Sequence, residues 1–227
     1  MKILAIGAHP DDLEIFMGGT IAAFQAQGDE VLLVTATDGA KGGKGDAAEL
    51  IRIRQAEADA AAAVFGLKPT MLGFPDGGLH AEAAVIDRIG VLIAAERPAL
   101  VITHAPNDYH GDHRALSDAV RIAANFVAPV MWMETMMGVG FSPTHYIDVT
   151  PHMDLKREAI RRHVSQDTGR FIDMVELSGR FRAAQCNAPM GYAEAFRFEP
   201  IFPFADPRNL LPPAPGVTPV RDRRTAR

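Results

Sequence analysis

The chain opens Met1-Lys2-Ile3-Leu4-Ala5-Ile6-Gly7-Ala8-His9-Pro10-Asp11-Asp12. The run from Ile3 to Ala8 is short, apolar and uninterrupted. That is the pattern of a central strand buried on both faces of a parallel sheet. In open α/β sheets, ligands bind beyond the carboxyl ends of such strands. A His and two Asp therefore stand where chemistry is expected. Imidazole nitrogen and carboxylate oxygen suit zinc or another divalent first-row metal. A second cluster, His110-Gly111-Asp112-His113, follows shortly after another apolar run, Ala99–Thr103.

Outward from the first loop, strand and helix patterns alternate. Gly18-Gly19 leads into an expected helix over Thr20–Gln27, and Val31–Ala36 reads as a second strand. An Ala-rich helix is expected from about Ala47 to Phe65, with Gly66 as its stop. Thr70–Gly73 is a short strand running into the turn Phe74-Pro75-Asp76-Gly77-Gly78. Helices over Ala81–Glu96 and Arg114–Asn125 flank the strand Ala99–Thr103. Beyond Val127 the pattern loosens, leaving a strand at His145–Val149 and a helix at Met153–Gln166. This order predicts an α/β three-layer sandwich with a mainly parallel, Rossmann-like sheet. Both polar clusters then fall at the carboxyl ends of strands, on one edge of the sheet. Residues 1–205 read as a single domain. Residues 206–227, rich in Pro and Arg, read as an extended tail.

Composition narrows the class. At 227 residues the chain suits one large domain, and its formal charge of −5 argues against a general nucleic-acid binder. Cys186 is the only cysteine, which excludes an internal disulfide and Cys-rich zinc sites. No signal peptide pattern opens the sequence, and no window reaches the roughly 18 apolar residues of a membrane span. A cytoplasmic enzyme without membrane or nucleic-acid partners is expected.

A catalytic zinc site has three protein ligands and an open fourth position. His9 and Asp12 can point into one cavity, and His113 is the natural third ligand. Asp11 then lies beside the metal, placed to take a proton from a metal-activated water. His110 could donate a hydrogen bond to a developing oxyanion and protonate a leaving amine. Asp108 or Asp112 could hold a histidine in the right tautomer. A lone His-Pro-Asp is ordinarily a turn, and a lone His-x-Asp-His ordinarily surface sequence. Their shared placement at strand ends is what favours a common metal site. His80, His104, His145 and His152 lack that support and read as packing or surface residues. The Lys41–Gly45 loop is not a phosphate loop, because Lys44 is followed by Gly45 and no G-x-x-x-x-G-K-[ST] exists. The Met-rich stretch Met131–Phe141 reads as core, flexible cover or a partly apolar wall of the site.

At these residues the sequence resembles the LmbE-like, or PIG-L, family of metal-dependent N-acetylglucosaminyl deacetylases. The resemblance rests on Ala8–Asp12 with Glu14 and Gly18-Gly19-Thr20, and on Thr37-Asp38-Gly39 with Arg54-x-x-Glu57. It continues through Asp76-Gly77-Gly78-Leu79 and Asp108-x-His110-x-Asp112-His113. Asp148-Val-Thr150, Lys156, His163-x-Ser165-Gln166 and Tyr192-Ala-Glu194-Ala-Phe196 complete it. The resemblance implies zinc, or another divalent ion such as Fe2+, on His9, Asp12 and His113, with Asp11 as base. It implies His110 as the residue that stabilises or protonates the intermediate. It further implies Arg54 and Asp76 as contacts to substrate hydroxyls, and His163 and Glu194 as scaffold. The expected substrate is a small N-acyl compound, an amino sugar first and a non-sugar amide as the rival. A homo-oligomer is expected. A non-catalytic sugar- or metal-binding module is the third reading, and the intact Asp11 and His110 speak against it.

Overall fold

The structure is a computed structural model and describes residues 1–217. Seven strands form one sheet in the order β3-β2-β1-β4-β5-β7-β6. The strands are β1 (Lys2–Gly7), β2 (Glu30–Thr37), β3 (Pro69–Phe74), β4 (Leu100–Thr103), β5 (Val130–Met133), β6 (His145–Asp148) and β7 (Ala193–Phe198). β1 to β5 run parallel, and β7 lies antiparallel between β5 and β6. Six helices cover the faces: α1 (Asp12–Ala26), α2 (Ala47–Val64), α3 (Ala83–Glu96), α4 (Gly111–Ala123), α5 (Met153–Arg161) and α6 (Thr168–Gln185).

Alternation along each strand divides the core in two. Ile3, Ala5, Leu33, Leu100 and Ile102 pack with α1, α2 and α5. Leu4, Ile6, Val34, Val101 and Trp132 face α3 and α4. Because both faces are covered, β1 reads as a continuous apolar run. The result is the three-layer, mainly parallel α/β fold that the sequence predicts.

Most expected elements lie within a few residues of their observed bounds. The first helix differs most. It begins at Asp12, inside the expected ligand loop, and is bent at Met17 (φ −145°, ψ 20°). The bend places Gly18-Gly19-Thr20 at the start of a second helical segment. The N–H groups at its start, which lack helical partners, are met by Glu194, whose carboxylate accepts from Gly19 N at 3.0 Å and Thr20 N at 2.7 Å. Lys156 Nζ donates to the same carboxylate at 2.5 Å. Gly19 is required here, since a Cβ would lie 2.6 Å from Val149 Cβ. The expected helix Met153–Gln166 stops at Arg161 instead, and α6 begins at Thr168 behind Asp167, whose side chain accepts from Arg170 N. β5, β7 and α6 were not expected as elements.

After β7 the described part of the C-terminal segment runs back over the fold. Leu210 and Leu211 pack against the α1 side of the core, and Asp148 N donates to Pro213 O at 2.9 Å. The arginine-rich end, residues 218–227, lies outside the described residues. No helix among the described residues is long and apolar enough to cross a membrane.

Candidate active site

The chain runs from β1 outward to β2 and β3, then crosses back to β4 on the other side of β1. The crevice between β1 and β4 is therefore the switch point where an open sheet binds ligands. The loop after β1 and the start of α1 deliver His9, Asp11 and Asp12 there, and the loop after β4 and the first turn of α4 deliver Asp108, His110 and His113. His9, Asp11, Asp12, Asp108, Asp112 and His113 are all buried.

Three residues converge, Asp12 through both of its carboxylate oxygens. His9 Nδ1 lies 3.3 Å from Asp12 Oδ2 and 3.3 Å from His113 Nε2, and His113 Nε2 lies 3.4 Å from Asp12 Oδ1. A tetrahedral ion with bonds of about 2.0–2.1 Å needs donors about 3.3–3.4 Å apart. The spacing fits such an ion, and so does the mixed imidazole–carboxylate donor set. The outer nitrogens meet carboxylates. His9 Nε2 is 3.1 Å from Asp112 Oδ2 and 3.3 Å from Asp76 Oδ1; His113 Nδ1 is 3.1 Å from Asp108 Oδ1. Such partners orient a ligating imidazole and raise its basicity. The Asp108–His113 approach is close but poorly aligned for a hydrogen bond, since His113 Nδ1 and Asp108 Oδ2 have no bonded partner.

Wider groups of potential ligands overlap these three: His9 with His110 and His113, Asp12 with His104 and His113, and His9 with Asp76 and Asp112. The alternatives are already engaged. His104 Nε2 accepts from Ala8 N at 3.1 Å. Asp112 accepts from Gly77 N at 2.7 Å and Leu79 N at 3.2 Å. Asp76 accepts from Lys41 N at 2.8 Å. His110 Nδ1 accepts from Asp112 N at 3.2 Å, capping α4.

The electrostatics are those of a cation site. Burial alone would lower the His9 imidazole, yet the Asp12 and Asp76 carboxylates raise it to about 11. His113 is raised to about 9 against burial by Asp12 and Asp108. Burial opposes the Asp12 charge, but His113, His104 and His9 hold its carboxyl well below the usual range. Asp11 is raised to about 6, by burial and then by the Asp12 charge, with Arg54 pulling the other way.

Asp11 sits at φ 145°, a backbone conformation unusual for a non-glycine residue and common at functional turns. Arg54 holds that turn. Its Nη2 donates to Pro10 O at 2.9 Å and lies 3.1 Å from Asp11 Oδ2, and its Nη1 donates to Gly39 O at 3.1 Å. Gly42 makes room, since a Cβ there would fall 2.0 Å from Arg54 Nη1. Arg54 is thus engaged with the loop itself. Asp76 lies beside His9, and both residues also line the cavity above the cluster.

That cavity has a volume of about 300 Å³. Lys41, Arg54, Asp76 and Gln166 contribute polar groups, while Tyr109, Met136 and Phe171 add apolar walls. Sequence reasoning missed Lys41, Tyr109 and Phe171, which carry no motif of their own. It read His104 as a packing or surface residue. His104 is fully buried, with its ring stacked on His113 at 3.7 Å and its Nε2 3.1 Å from Asp12 Oδ2. Its position directly after β4 was the available signal. His80 is exposed, whereas His145 and His152 are partly buried away from the cluster. The Met131–Phe141 stretch divides: Met131, Trp132, Met133 and Phe141 are core, and Met136 faces the cavity.

Known proteins are similar to this chain in sequence and fold. Residues 4–124 match the PIG-L family model, described as GlcNAc-PI de-N-acetylase. The diacetylchitobiose deacetylase of Thermococcus kodakarensis is 32% identical, over 90% of this chain and 87% of that protein. The N,N'-diacetylchitobiose deacetylase of Pyrococcus horikoshii, solved with an inhibitor, superposes with a TM-score of 0.78 at 27% identity. That match covers 90% of this chain and 88% of the other. A 4-carboxy-2-hydroxymuconate hydratase, GalB of Pseudomonas putida, shares the fold at TM-score 0.78 and 21% identity, with 88% and 97% covered. The fold therefore hosts more than one reaction, and the sequence match carries the assignment: the chain is an enzyme of the PIG-L family of de-N-acetylases.

Proposed function

We propose that this enzyme removes an acyl group, acetyl in the first instance, from the nitrogen of an amino sugar or glycoconjugate, with Zn2+ held by His9, Asp12 and His113. The observation that carries the reading is the 3.3–3.4 Å triangle of His9 Nδ1, Asp12 and His113 Nε2 beside a second, non-ligating carboxylate. Zinc, when bound there, would polarise the substrate's amide carbonyl and make a water nucleophilic near neutral pH. Asp11 takes the proton of the attacking water, held in place by Arg54. His110 accepts a backbone N–H at Nδ1, so its neutral ring carries the proton on Nε2. It is thereby set as a donor to the oxygen that gains charge. Asp11 then returns its proton to the leaving amine, so the neutral His110 ring need not give up its one N–H proton. Lys41, Asp76 and Gln166 suit a hydroxyl-rich substrate in the cavity.

The relatives that act on diacetylchitobiose support the amino-sugar class. The test is paired. Asp11→Ala is expected to keep zinc while losing at least about 100-fold in kcat, the scale of a general base. His113→Ala is expected to lose both zinc and turnover. Metal content and hydrolysis of N-acetylglucosamine derivatives, beside a panel of non-sugar N-acyl compounds, are the readouts. Near-normal hydrolysis by Asp11→Ala would remove the assigned base. Turnover confined to non-sugar amides would remove the amino-sugar assignment.

A further inference from the structure

A second, smaller cavity of about 40 Å³ adjoins the first and shares Ile15, Phe16 and Met136 with it. Its other walls include Met137, Met153, Met174, Val175 and Ser178. The charged groups at its edge have partners: Lys156 with Glu194, and Glu134 with Arg182. The cavity therefore offers a visitor apolar surface and few free polar groups.

Its place in the sheet gives it a direction. The metal cluster stands at β1 and β4. The polar walls Lys41 and Asp76 lie on the β2 and β3 side of it, while the small cavity lies beyond the ends of β5 and β7 on the other. An amide carbonyl held at the cluster has two substituents pointing apart. With the hydroxyl-rich amine towards β2 and β3, the acyl carbon chain points towards β5. Phe16 marks the passage, with its ring 5.9 Å from that of His113. Methionine suits such a wall, because its flexible thioether reshapes around chains of different length.

We propose that this methionine-lined annex receives the alkyl end of the acyl group, so that the enzyme takes acyl chains longer than acetyl, up to butanoyl. The proposal rests on the deacylase reading for its orientation of substrate.

The test separates the two. Binding of acetate, propanoate and butanoate to the zinc-loaded enzyme is measured by calorimetry, alongside hydrolysis of N-acetyl-, N-propanoyl- and N-butanoylglucosamine. Each methylene buried is expected to tighten carboxylate binding about fourfold, the equivalent of about 0.8 kcal/mol. Ser178→Phe, which fills the annex from α6, should abolish the gain beyond acetate while leaving acetate binding unchanged. Met174→Ala, which enlarges it, should extend the gain to pentanoate, and it keeps the test decisive if the bulky variant folds poorly. A flat series in the wild-type enzyme, or a gain that neither variant alters, would overturn the annex. A rising series without hydrolysis of any N-acyl compound would keep the annex and overturn the deacylase reading. Hydrolysis of N-acetylglucosamine with a flat series would do the reverse.

Discussion

Replacing Glu194 by alanine perturbs the clamp on α1 at a site remote in sequence from every expected ligand. Glu194 is 6% exposed, and its carboxylate serves Gly19 N, Thr20 N and the Lys156 ammonium together. Alanine leaves that ammonium buried without its partner, which costs about 3–5 kcal/mol. The two orphaned N–H groups push the loss towards the upper end of that range. For a chain of this size, each kcal/mol moves Tm by about 2–4 °C, so a fall of about 10–20 °C is expected. Thermal unfolding followed by circular dichroism, on metal-free protein, measures it. The double variant Lys156→Met/Glu194→Gln removes the ammonium and keeps an acceptor for the N–H groups. It should recover most of the loss, because the main penalty is the stranded charge. A Glu194→Ala melt within about 2 °C of wild type would refute the reasoning. So would a double variant no more stable than the single one.

Asp112→Asn weakens the carboxylate behind His9 and should lower zinc affinity about 10–100-fold, read by competition with a chelator. Arg54→Lys keeps the charge but loses the fork that spans Pro10 O, Gly39 O and Asp11; kcat should fall at least about tenfold with zinc content intact. Unchanged kcat would mean that the fork does not position the base. Burial opposes the charge on His163, but Glu14 at 3.3 Å outweighs it and raises the imidazole above its ordinary value. A raised histidine contributes its full stability below the unfolded value of about 6.5 and loses it as pH climbs through the folded one. The Tm difference between wild type and His163→Gln should therefore shrink as pH rises above about 6.5. A difference that stays constant or widens would count against the Glu14–His163 pair.

The first half of the fold was legible because its strands are buried on both faces and its helices carry simple stops. β1, β2 and β4 are built around apolar runs, and α2 ends at Val64, capped by Phe65 with Gly66 in a left-handed conformation. The second half was not. β5 is four residues in a methionine-rich stretch that offers no alternation. β7 hides because Glu194 and Arg197 interrupt its apolar residues, and Glu194 is buried only because Lys156 and the bent α1 satisfy it. Along α6, the exposed Leu177 and Phe181 blur the helical stripe. At the site, motif residues could be named in advance because loops after strands gather them. Lys41, Tyr109 and Phe171 could not, because a cavity wall is assembled by tertiary packing and leaves no spacing to read. His104 stood in plain view after β4, but an isolated histidine in sequence says nothing of what its ring will stack upon.

The strand order also carries a timetable. Every expected metal ligand lies within the first 113 residues, beyond the ends of β1 and β4, which pair with each other, and domains can fold as the chain is synthesised. β6 can join the sheet only through β7, and β7 also brings the carboxylate that clamps α1. A nascent chain stalled short of residue 193 would thus hold Asp12 at the head of an unclamped helix. Protease sensitivity at Met17–Thr20 in such a stalled chain, lost once residue 198 is free, would register the moment of closure.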